Sequence, residues 1–169
     1  MTEPSWPKDL TSGGQTFKNR VDNPLVFRAY MLAKMPTLGI TTAYLDEIEV
    51  TRCRVALPYG WMVRDLFGRV STAAILAAAE ACSVSLLVLN IRNQGAALTP
   101  RPRAVSIECL DECREDMSFE VEDGDAYGAF VAEAVAHGDE VRRDLPVPGS
   151  SASGKITHRV HIEWVLEPK

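Results

Sequence analysis

The stretch Val70–Asn90, VSTAAILAAAEACSVSLLVLN, decides how the rest of the chain must be arranged. It contains neither Pro nor Gly, and Glu80 is its only charge. Its length suffices for roughly five helical turns, and its Ala and Leu content favours helix. Ser71 stands where an N-cap would. The apolar residues run all round the helix rather than along one stripe. Such a helix is either enclosed by other structure on most faces or crosses a membrane. Ala73, Ala74, Ala77, Ala78, Ala81 and Ser83 are small enough to let other backbone, or a ligand chain, come close. Glu80 is what the helix itself does not explain, because a buried carboxylate is costly unless it is paired or protonated.

Length alone would allow a membrane span. Against it, Glu80 sits at the centre, where a carboxylate costs about 2.5–3.5 kcal/mol even on insertion scales. Ser71, Thr72, Ser83, Ser85 and Asn90 add polarity, and the flanks carry alternating strands. The expectation is therefore a buried helix and no membrane span.

Outward from the helix, the segments fall into order. Residues 1–21 are polar, with Pro4, Pro7 and Gly13-Gly14, and read as a loose lead-in. Asp22 or Asn23 caps a helix that starts at Pro24, runs to about Met35 and is ended by Pro36. Ile40–Pro58 reads as two strands with a turn near Val50–Thr51, because Cys53, Val55 and Leu57 alternate with Arg52, Arg54 and Ala56. The connector Tyr59–Arg69 is dense in aromatics and charge. After the helix, Asn93–Arg103 reads as a loop and Ala104–Asp111 as a strand. Met117, Phe119 and Val121 mark another. Asp125 caps a short helix through Tyr127, Phe130, Val131, Ala134 and Val135, closed by Gly138. Val141–Val147 is a strand, Pro148–Gly154 a turn, and Lys155–Glu167 the last strand. The expected domain is single, from residue 22 to 169. Its fold class is α+β: a curled antiparallel sheet that buries one face against the only element apolar enough to fill it.

The chain has 169 residues and a net charge of −5. Its Lys and Arg are scattered, so no basic stripe marks a nucleic-acid site. Cys53, Cys82, Cys109 and Cys113 form no C-x-x-C pair, and with three His residues no metal pattern emerges. Reduced thiols fit a cytoplasmic protein, and the polar N-terminus MTEPSWPKDL has no signal-peptide core.

The order of elements, together with Arg64-Asp65-Leu66-Phe67-Gly68, Ala77-Ala78-Ala79-Glu80 and the fifteen positions separating Asp65 from Glu80, resembles the hotdog-fold thioesterase-like proteins. The likeness is to a poorly characterised group with a Met-Pro-x-Leu-Gly lead, here Met35-Pro36-Thr37-Leu38-Gly39, and it covers about Pro24 to Glu167. It implies hydrolysis of an acyl thioester on coenzyme A or a carrier protein, no cofactor and no metal, and a homodimer or tetramer whose partner chain completes the site. Two departures stand out. The family often carries Asn where this chain has Asp65. Many active members have His-Gly-Gly where it has Ser71-Thr72-Ala73. The missing His argues against a dehydratase, whose chemistry wants a His acid/base.

On this resemblance Glu80 is the base, its pKa raised by apolar neighbours. Backbone N–H groups near Gly68, Arg69, Val70 and Ser71 meet the oxyanion at the helix start. Asp65 holds water or carbonyl, and Arg64 or Arg69 meets coenzyme A phosphates. Read as structure only, Glu80 pairs with an Arg or a backbone group, Asp65 and Ser71 are turn and capping residues, and Gly68 serves the backbone. His158 is then a core residue and His161 a surface one. The alternative function is a non-catalytic protein that binds acyl thioesters or fatty acyl chains on the same scaffold.

Overall fold

The computed structural model describes residues 6–34, 40–121 and 123–169. Helices α1 (Ser12–Val21) and α2 (Pro24–Lys34) lead into strands β1 (Tyr44–Glu49) and β2 (Arg52–Leu57). A single 3-10 turn, Trp61–Val63, precedes the central helix α3 (Thr72–Asn93). Strands β3 (Leu98–Cys109) and β4 (Met117–Val121), helix α4 (Gly124–His137), and strands β5 (Val141–Ser151) and β6 (Ile156–Pro168) complete the order. The strands form one antiparallel sheet, β1-β2-β4-β5-β6-β3. This is the expected α+β arrangement, a curled sheet about one long helix.

The packing follows from the all-round apolar character of α3. Leu86, Leu87 and Leu89 are fully buried, as are Ala78, Ala79 and Cys82. From the sheet, Val55, Leu57, Phe119, Val147, Val160, Ile162 and Trp164 face them. Each such large apolar side chain contributes about 1.5–3 kcal/mol over leaving it in water. By length and composition α3 could cross a bilayer, but its most apolar window is 67% buried within the fold. Most polar groups on its hidden faces are partnered, Asn90 Oδ1 being the buried atom among the described residues that has none. Ser83 Oγ accepts from Trp164 Nε1 at 2.8 Å and lies 2.9 Å from Tyr127 Oη. Asn90 Nδ2 donates to Val50 O and Leu86 O.

Several expected boundaries shift. Residues 12–21, read as part of a loose lead-in, form α1, capped by Thr11. This helix lies so close to α3 that a Cβ on Gly13 would stand 2.5 Å from the Arg92 carbonyl oxygen. The cap of α4 is Asp123, whose Oδ1 accepts from Ala126 N, not Asp125. Strand β3 starts at Leu98 despite Pro100 and Pro102, because it is an outer strand and one of its edges needs no donors. Strand β5 runs on to Ser151 through Pro146 and Pro148; β4 pairs only with its last residues, Gly149–Ser151, so the prolines fall where one side is unpaired. Asn23 caps α2 by accepting from Leu25 N and Val26 N. The helix end at Pro36 and the motif Met35–Gly39 lie outside the described residues.

Candidate active site

The connector into α3 is a closed hydrogen-bonded turn. Asp65 Oδ1 accepts from Phe67 N (2.8 Å) and Arg69 N (2.9 Å), and Asp65 Oδ2 accepts from Arg69 Nε (2.8 Å). These contacts, the Arg69 backbone bond foremost, hold the Asp65 carboxyl below the usual range. Arg69 also donates to Glu112 at 3.0 Å. Gly68 has φ +74°, a left-handed conformation that favours glycine, and its carbonyl accepts from Tyr59 Oη at 2.5 Å. Arg64 stacks over the Tyr59 ring, 4.7 Å from its centre.

This turn consumes the donors expected to serve an oxyanion. Gly68 N donates to Asp65 O, Arg69 N to Asp65 Oδ1, Val70 N to Cys113 O and Ser71 N to Val63 O. Ser71 is the N-cap, its Oγ accepting from Ala74 N at 3.3 Å. The open donors lie just inside the helix instead. The first backbone N–H groups of any helix lack intrahelical acceptors, and Thr72 and Ala73 are exposed, with no acceptor for their N–H groups among the described residues. The expectation of donors near Gly68–Val70 is corrected to these two.

Glu80 lies on the one row of α3 that the fold leaves partly uncovered: Leu76, Glu80, Val84, Val88 and Arg92, each four residues from the next. Among the described residues its carboxylate has neither ion pair nor hydrogen bond. Burial alone pushes its pKa up. It is not the Arg-paired structural carboxylate that the bland reading foresaw. Asp65 takes no part in that rise, and its own carboxyl is lowered by the bonds from Arg69 and Phe67.

The other candidates fall into place. His158 is buried, its pKa lowered by burial, with Nδ1 3.0 Å from Thr157 Oγ1. Cys53, Cys82 and Cys113 are buried free thiols and Cys109 is exposed. No group of His, Cys, Asp and Glu that could hold a metal occurs among the described residues. One constellation was invisible from spacing. Ser106 pairs with His161 across β3 and β6, and His161 Nδ1 lies 2.9 Å from Asp144. All three are open to solvent on the outer face of the sheet, without the water-excluded surroundings that make such groups catalytic.

No protein-family model matches the chain, and no curated protein matches it. Solved structures do. A Pseudomonas aeruginosa protein described as of unknown function and a probable thioesterase superposes with a TM-score of 0.70 at 14% identity, over 87% of this chain and 97% of that one. A protein of unknown function from Chlorobaculum tepidum gives 0.74 at 8% identity, over 93% and 97%. A Haemophilus influenzae thioesterase gives 0.60 at 7% identity, over 86% and 91%. At such identities the likeness establishes the fold: this chain has the hotdog fold found in thioesterase-like proteins.

Proposed function

We propose that the protein hydrolyses an acyl thioester, carried on coenzyme A or on a carrier protein, with Glu80 as general base. The observation that carries this reading is a half-buried carboxylate without a partner among the described residues, flanked by Leu76 and Val84 on an open row below two free N–H groups. Ala73 and Glu80 are seven residues apart, hence on the same face and about 10 Å apart along the axis. The glutamate side chain leans back toward the helix start, which narrows that gap to room for a thioester carbonyl and one water. Thr72 and Ala73 N–H would stabilise the developing oxyanion, helped by the helix dipole. Glu80 removes a proton as the water oxygen bonds to the acyl carbon. The C–S bond then breaks, and the proton passes to the thiolate, giving free thiol and carboxylic acid.

Asp65 and Arg69 serve as the brace that fixes the helix start. Arg64, stacked but not ion-paired among the described residues, is the better candidate for a coenzyme A phosphate. Trp61, Leu66 and Phe67 stand 81%, 98% and 69% exposed around this turn, and β3 offers an open edge carrying Val105. Both features favour a second copy of the chain covering the row and completing the site.

The test is thiol release from a panel of acyl-CoAs by wild type and Glu80→Gln. The expected result is turnover that falls about 10²–10⁴-fold in the variant, with ligand binding retained. Ligand binding without turnover in the wild type would instead support the binding-protein reading, which the missing His at the helix start favours. Equal turnover in both proteins would sink Glu80 as the base.

A further inference from the structure

The open row of α3 does not end at Glu80. Successive members of an i, i+4 row are neighbours on a helix surface, so Val84 and Val88 continue it toward the C-terminal end. There it enters a groove of about 330 Å³ between α1, α2 and α3, lined by Phe17, Val21, Tyr30 and Val88. Two arginines, Arg20 and Arg92, also line the groove. Neither has a carboxylate partner among the described residues, whereas Arg52, Arg54, Arg69, Arg101 and Arg143 all do. The chain is acidic overall, so unpaired cations are the exception. Each arginine lies in the last turn of its helix, where a cation complements the dipole. That explains where each stands in its own helix, not why both line one groove with Phe17, Val21 and Val88.

We propose that this groove receives the far end of the acyl chain and that the end it selects carries a carboxylate, so that the substrates are thioesters of long dicarboxylic acids. The inference rests on the thioesterase reading of Glu80. Arg92 lies twelve residues beyond Glu80, about 18 Å along the axis, and both side chains lean the same way along the helix. An extended alkyl chain advances about 1.3 Å per methylene, from C–C bonds of about 1.5 Å. The distance therefore suits a chain of roughly fourteen carbons. The floor between the two ends is apolar, which fits methylenes and gives no partners to the amides of a pantetheine arm. Guanidinium groups bind carboxylate with paired N–H donors.

The experiment compares kcat/KM for tetradecanedioyl-CoA and tetradecanoyl-CoA, which share a chain of about fourteen carbons and differ in the terminal carboxylate. Wild type is compared with an Arg20→Met/Arg92→Met double variant, and the binding of free tetradecanedioate and of free coenzyme A to both is measured by calorimetry. Both side chains are exposed, so the variant should keep the wild-type melting temperature. The proposal expects a preference for tetradecanedioyl-CoA of about tenfold, the scale of one charge-assisted hydrogen bond. It also expects that preference to fall to about one in the double variant. No preference in the wild type, or a preference that survives the double substitution, overturns it. So does a loss of coenzyme A binding in the variant, which would make the groove a nucleotide site. If no thioester is turned over, the catalytic reading fails on its own and tetradecanedioate decides the groove: binding lost in the double variant upholds the carboxylate site, and no binding overturns it.

Discussion

The turn before α3 and the middle of α3 treat their carboxylates in opposite ways. In the turn, Asp65 is held by three hydrogen bonds, one of them its ion pair with Arg69, and its pKa is lowered. About two helical turns into α3, Glu80 is half-buried with no partner among the described residues, and its pKa is raised. Ser83, one turn below Glu80, shows that the helix can satisfy a polar group when it needs to, since Trp164 and Tyr127 both reach its hydroxyl. A fold that satisfies Ser83 and Asp65 and leaves Glu80 unsatisfied carries a desolvated carboxylate at a cost to stability, which the proposed role of Glu80 as base would explain.

The sharpest way to break this contrast is Glu80→Leu. Turnover should fall at least about 100-fold while the melting temperature at neutral pH rises, because a desolvated charge is removed; a lower melting temperature would mean that Glu80 supports the fold. Next is Ser83→Ala, with the reverse signature. Stability should drop by about 1–3 kcal/mol, since buried Trp164 Nε1 loses its acceptor and buried Tyr127 Oη its partner, yet turnover per folded molecule should hold in a denaturant titration read beside an activity assay. A smaller effect is expected at Asp65. Replacement by Ala should lower the melting temperature and activity by loosening the helix start, whereas Asp65→Asn, which still accepts from Phe67 N and Arg69 N, should do so less. Equal losses in the two would place the weight on the Arg69 ion pair.

The smallest effect separates the two carboxylates by pH. The Glu80 carboxyl is raised, so its protonated form favours the folded state. Its contribution is present below the ordinary carboxylate range and is lost as pH rises through the folded-state pKa. For Asp65 the sign is opposite: stability is present above the ordinary value and lost as pH falls through the lowered one. Melting temperatures of Glu80→Gln and wild type should therefore converge in acid and diverge toward neutral pH, while those of Asp65→Asn and wild type should converge only at the acid end of the Asp65 titration.

Much of this was legible in the sequence because α3 is extreme. A run apolar on every side needs enclosure, its cap is plain at Ser71, and Glu80 is conspicuous by being alone. The turn's inner bonding was not legible, since nothing in Gly68-Arg69-Val70 reveals that their N–H groups are spent on Asp65 and Cys113. Helix α1 was missed because its own residues are polar and its reason for being helical is contact: Thr11 N and Thr11 Oγ1 bond to Asn93, eighty-two positions away. Strands β3 and β5 were cut short by prolines, which weigh against a central strand but not against a strand with one open side. The groove at Arg20 and Arg92 joins helices distant in sequence, so only the fold brings it together.

The most direct test is the pH dependence of kcat/KM for thiol release, measured from about pH 4 to 9, a range that brackets the carboxylate and thiol titrations. With Glu80 as base, activity should rise with pH along a single acid limb whose apparent pKa lies above the ordinary glutamate value, and Glu80→Gln should abolish that limb. An acid limb that persists unchanged in Glu80→Gln, or activity that does not vary with pH across the carboxylate range, would contradict the account.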